Sequence, residues 1–232
     1  MTSVSRAAAA AAVALAGLAA GAAHAATFVS FSSYQTALNP GEVLVTDFDG
    51  PAISVPAGFT AGGTAGVQTG TNSSGAAPAL SASTFDTSQY LSVGAGETFT
   101  LTTPSLSEIS FYVGSLDPYN SITFTGAGGF SQTFSGIDLT AATTAADLAN
   151  GNRSAAGANG RYTFTFDQAI TAVLIASSSP AFEISNIGAI PGGGEVGLVP
   201  EPTAWVLMLM GFGGLGAGLR AQRKARFRAA AI

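Results

Sequence analysis

The sequence predicts an all-β fold, an antiparallel sandwich or jelly roll, and three observations predict it. Short alternating stretches rich in Thr, Val, Ile, Phe and Tyr recur through the middle of the chain. Clusters of Gly, Pro, Asn, Asp and Ser separate them. The 232 residues contain no cysteine, so a packed core and not a set of disulfides must hold the domain. About 170 residues between the two ends suffice for such a core.

The first element precedes that domain. Arg6 is followed by an apolar and small-residue run over residues 7–23, which ends in the triplet Ala23-His24-Ala25. A positive start, a short apolar stretch and a small-x-small site make a secretory signal peptide over 1–25, cut after Ala25 by signal peptidase once the Sec machinery has exported the chain. The only histidine, His24, leaves with it.

Strands are expected at 43–48, 90–93, 97–101, 108–113, 121–125, 130–134, 161–166, 172–176 and 182–187, within a domain spanning 26–190. In 121–125, Ile122 and Phe124 alternate with Ser121, Thr123 and Thr125, the pattern of a sheet with one wet face. Residues 61–79 are small, Gly-rich and polar and read as a long loop. Residues 138–159 read as an excursion between strands, with a weak helix over 139–150 interrupted by glycine. Three consecutive glycines after Pro191 make 191–199 a flexible linker.

Composition excludes several chemistries. Without histidine or cysteine the mature chain has no general base for a Ser-His-Asp or Cys-His nucleophile and no ligands for a zinc site of the usual kind. Between residues 26 and 199 there are twelve Asp or Glu against only Arg153 and Arg161, a net of −10, so nucleic acid is not an expected partner. Two suitably spaced carboxylates could still cleave a glycoside, but nothing marks such a pair, and no enzyme activity is expected.

Two binding features remain. Asp47 and Asp49 close an early strand and Glu183 lies in a late one; these are hard oxygen donors of the type calcium prefers. The arrangement loosely resembles carbohydrate-binding-type sandwiches, in which an early acidic strand and a late strand are neighbours sharing a cation, and the resemblance implies a structural calcium at Asp47, Asp49 and Glu183. The turn at 116–120 carries Tyr119 between polar groups, suited to stacking on a sugar; the same residues also make an ordinary turn with a packed tyrosine.

The last elements fix the topology. Residues 203–219 carry no charge and are followed by Arg220, Arg223, Lys224, Arg226 and Arg228. About seventeen residues is near the lower limit for one transmembrane helix, Trp205 suits its outer interface, and the cations hold the tail in the cytoplasm. Gly211, Gly213 and Gly216 match the letters of a dinucleotide fingerprint but lack the βαβ unit it requires. Gly214 and Gly218 have the spacing at which two membrane helices can approach closely.

Immediately before this span stand Pro200, Glu201 and Pro202, with Trp205 three residues on and the Arg-rich cluster after the glycines. The segment 200–228 resembles the PEP-CTERM sorting signal of exosortase-dependent surface proteins, of the PEP-x-x-W-A form, with Val206 in place of Ala. The resemblance implies recognition of Pro200, Glu201 and Pro202 by an exosortase and cutting near them. It further implies a transient anchor in the inner membrane of a Gram-negative bacterium, then a place at the cell surface or in the exopolysaccharide matrix of a biofilm. The expected role is structural or adhesive; the alternatives are a lectin-like carbohydrate-binding module and, more remotely, a carboxylate-dependent glycan hydrolase.

Overall fold

The computed structural model describes residues 27–141 and 149–192, which lie within one compact unit, Ala25–Leu198. The expected leader, the linker beyond Gly192 and the whole sorting segment fall outside the described residues. Among those described, no helix is long and apolar enough to cross a membrane; the expected span at 203–219 is not among them.

In chain order the elements are β1 (Thr27–Ser33), β2 (Val43–Thr46), β3 (Thr60–Gly63), β4 (Gly66–Thr69), β5 (Gln89–Val93), β6 (Thr98–Gly114), β7 (Asn120–Gly126), β8 (Ser131–Ser135), the short helix α1 (Gly136–Ala141), β9 (Gly160–Ser177) and β10 (Phe182–Pro191). Every strand pairing is antiparallel, as the alternation predicts.

Two long strands organise the domain. β6 and β9 pair from Thr98↔Ala176 to Val113↔Gly160, with register shifts around Leu106. Below the shift, β6 carries β3 on its free side while β9 carries β7 and then β8. Above it, β9 carries β1, and β6 carries β10, which in turn holds β2 and β5, with β4 beyond β5. The same two strands thus run through both halves of one ten-stranded sheet.

The halves face one another, because rings from each meet between them. Phe124 of β7 lies 4.7 Å from Phe164 and 4.9 Å from Phe166 of β9, and 6.4 Å from Phe111 of β6. Phe134 of β8 lies 5.4 Å from Phe164. The rings of Phe111, Phe124 and Phe164 are fully buried, in tilted or edge-on contacts of the kind aromatic pairs favour. The outer side of β7 is wet as expected: the Thr123 and Thr133 hydroxyls bond across strands at 2.8 Å in an exposed position.

Folding the sheet over its long strands gives the domain two poles. At one, the turns after β6 and β9 meet: the Ser178 N–H donates to the Tyr119 carbonyl, and the Asn120 amide to the Ala181 carbonyl. At the other lie the bends of β6 and β9, with Thr27 beside Phe166 and Pro191 beside Leu106. The first described residue and the exit of β10 therefore share a pole.

Several expectations need correction. Residues 61–79 are not one loop; β3 and β4 cross them. Gly63 explains why the segment is so small: at φ +117°, a Cβ there would stand 2.2 Å from the Thr98 carbonyl oxygen, so only glycine allows β3 its approach to β6. The pairs of strands expected at 97–101 and 108–113, and at 161–166 and 172–176, are each one continuous strand. Residues 27–33, where no strand was expected, form β1. Helix α1 starts earlier than expected, with Ser135 and Asp138 exchanging hydrogen bonds across its first turn; residues 142–148 are outside the described set.

Candidate functional site

The loose resemblance to carbohydrate-binding-type sandwiches implied that the early acidic strand and the late strand are neighbours, and they are: Thr46 of β2 pairs with Ile187 of β10. Beyond Thr46 the chain turns at Phe48, a non-glycine residue with φ +63° whose ring is buried 6.0 Å from that of Phe99. Anchoring that ring inward throws Asp47 and Asp49 outward. Their turn is held by the Asp49 N–H donating to Asp47 Oδ1 at 3.1 Å and the Gln89 N–H donating to Asp49 Oδ1 at 2.8 Å.

Asp47 and Asp49 line a groove of about 220 Å³ with Thr36, Leu80, Asp86, Ser88, Ser185 and Asn186. Asp86 was not foreseen as part of it. Its Oδ1 accepts from the Ser88 N–H (2.9 Å) and hydroxyl (2.7 Å), and its Oδ2 accepts from the Ser185 hydroxyl. The signal for it was present only in three dimensions, since it reaches β10 from ninety-nine residues away.

Glu183 does not join Asp47 and Asp49. It lies at the opposite end of β10 from Ile187, 2 % exposed, with Oε1 accepting from the Ala76 N–H and Oε2 from the Ser115 hydroxyl, each at 2.8 Å. Burial pushes its carboxyl up from 4.5 to about 7, against those two bonds, which favour the charged form. The expected calcium trio is thus split between a groove and a buried clasp. Among the described residues no group of three or more His, Cys, Asp or Glu is placed to hold a metal ion.

Tyr119 occupies the turn that was expected for it. The Asp117 N–H donates to Asn120 Oδ1 at 2.7 Å, and the Tyr119 hydroxyl stands 2.8 Å from Asp117 Oδ2 and 2.9 Å from the Pro180 carbonyl. Burial, reinforced by Asp117, pushes the phenol up to about 12, while burial raises Asp117 itself. Its hydroxyl ties two polar-end loops together; the ring is half-buried.

Arg161 was read only as one of two domain cations, yet it is 1 % exposed. Its guanidinium donates to Ser110 Oγ (2.7 Å), to the Thr36 carbonyl (2.7 Å) and to Asn186 Oδ1, fastening the loop after β1 across β9, β6 and β10. Thr36 and Asn186 also line the groove, so Arg161 fixes one wall of it.

The processing residues Ala23 and Ala25, and Pro200, Glu201, Pro202, Trp205, Arg220, Arg223, Lys224 and Arg226, lie outside the described residues. No curated protein matches the sequence. Among solved structures, CpGH89CBM32-6 produced by Clostridium perfringens is similar over 59 % of this chain and 96 % of that chain, at 14 % identity and a TM-score of 0.30. Residues 198–224 match the family model of the PEP-CTERM protein-sorting motif, and the C-terminal end of this chain is a PEP-CTERM sorting signal.

Proposed function

We propose that the protein is exported, held briefly by its C-terminal segment, cut by an exosortase near Pro200-Glu201-Pro202, and delivered to the cell surface or the exopolysaccharide matrix as a non-enzymatic structural or adhesive β-sandwich. The observation that carries this reading is the sorting motif at 198–224. Prolines on either side of Glu201 disfavour helix ahead of the apolar run, a sequence suited to reading by a processing enzyme.

The domain supports a structural role. Its buried side chains form the aromatic layer and clasps between loops; Asp47, Asp49 and Asp86 line a groove, and Glu183 makes a buried contact. Glu183 holds the Ala76 N–H and the Ser115 hydroxyl in place, and Asp117 accepts from the Tyr119 hydroxyl. A role as an adhesive module needs stability and surface, both of which this arrangement supplies.

Intact mass of the protein recovered from surface and medium, in cells with and without the exosortase, tests the reading. Loss of the segment after about Pro202 only when the enzyme is present is the expected result. A mass that retains Trp205 to the C-terminus in both strains overturns it.

A further inference from the structure

The strand β1 pairs with β9 through seven consecutive residues, Thr27↔Phe166 to Ser33↔Gly160, without a register shift. Among the described residues no strand pairs with its other side. The outward N–H and C=O groups of that edge therefore lack a sheet partner. None of its seven residues is buried, and Phe28 is 76 % exposed.

Open edges are ordinarily guarded by charge, proline, a bulge or shortness. β1 has none of these: its sequence, TFVSFSS, is uncharged and proline-free, its register is regular, and it is seven residues long. The other outer strands, β2, β3, β4 and β8, have four, four, four and five residues. β1 is thus the edge best able to accept a further strand.

We infer that β1 is a self-pairing edge, through which two copies of this chain join antiparallel about a two-fold axis at Ser30. The sequence is self-complementary in that register. Ser30 meets its own copy, Val29 meets Phe31 twice on the inner face, and Phe28 meets Ser32 twice on the outer face. The most exposed ring of the domain is then covered by its partner's strand, and no charged pair is created. Two domains of net charge −10 repel one another at a distance, and an uncharged strand adds no directly opposed like charges at the contact itself. The axis makes the contact isologous and closed, so it yields a dimer and not a fibre.

The pairing has a polarity. Thr27 and Pro191 share a pole of each domain, and the two-fold sends the two exits to opposite sides. Paired chains are consequently chains already freed from a common membrane, a corollary that rests on the proposed exosortase cutting.

Because the chain has no cysteine, a single Ser30→Cys substitution is a specific probe. Residues directly opposite in antiparallel strands have Cα atoms about 4.5–5.5 Å apart, within reach of a disulfide. Two Ser32→Cys residues would stand four positions apart along the strands, about 13 Å, and cannot be bridged. For the processed chain recovered from the medium, we expect a dimer by sedimentation equilibrium at micromolar concentration. Under mild oxidation, Ser30→Cys should cross-link and Ser32→Cys should not. Ser30→Lys sets two like charges opposite one another and should weaken the dimer about tenfold, with the thermal midpoint unchanged at dilutions where both proteins are monomeric. A monomer under these conditions, or equal cross-linking at positions 30 and 32, overturns the inference. An uncut mass in the same sample would instead defeat the sorting reading and leave the edge pairing to be judged on the cross-links.

Discussion

Glu183 is a carboxyl enclosed by protein, and its surroundings work against one another. The Ala76 N–H and Ser115 hydroxyl favour its charge, while burial and the nearby Asp117 oppose it, and the balance lifts it from 4.5 to about 7. Tyr90 and Tyr119, the other titrating groups that feel it, ionise far above this range. An acid raised on folding binds its proton more tightly in the folded chain, so its contribution is fully present below pH 4.5 and is lost as pH rises to about 7. The loss corresponds to about 3 kcal/mol. Thermal midpoints measured from pH 4 to 8 should fall across that window, and Glu183→Gln should flatten the slope. Apolar and acidic residues marked β2 and β10 as strands, and only the loose resemblance to carbohydrate-binding-type sandwiches implied that they are neighbours. The sequence did not reveal that Glu183 turns into the protein toward residue 76, since a one-residue change of side reverses a strand residue's surroundings. Arg161 was hidden for a related reason: its partners Thr36, Ser110 and Asn186 come together only when three strands align.

At the scale of elements, β7 was the most legible, because one of its faces is dry and the other wet and its alternation is complete. Phe124 sits where that dry face meets β6, β8 and β9. Phe124→Ala should cost about 3–5 kcal/mol, read as a lowered denaturant midpoint, because four neighbouring rings cannot close the space it leaves. The long strands were less legible. Strands were expected at 97–101 and 108–113, whereas β6 continues between them through Pro104 with a register shift, a place where a sheet tolerates proline. β3 and β4 were missed because the Gly and Ala residues that crowd 61–79 carry little strand preference; close backbone approach, as at Gly63, selects glycine there instead. β1 was not foreseen because four of its seven residues are Ser or Thr, although Phe28, Val29 and Phe31 lie among them.

For the whole molecule, antiparallel pairing and the absence of disulfides followed from sequence pattern and composition, and the sorting motif was legible at the C-terminal end. What composition could not convey is that two strands fold the sheet over itself and bring the first strand and the last to one pole. That arrangement has a mechanical consequence. Force applied between Pro191 and the far turn at Tyr119 runs along β10 and loads its ladder to β6 in shear, so the hydrogen bonds from Glu183↔Gly114 to Pro191↔Leu106 resist together. Force applied between Thr27 and Pro191 starts at one end of β1 and of β10 and opens their bonds in succession. Single-molecule pulling through these two pairs of attachment points should give the higher rupture force for the first. Equal forces would show that the ladder does not carry the load. A domain tethered at Pro191 and tugged from its opposite pole is a stiff link under tension, and the same domain drawn out by its own two ends is a zipper.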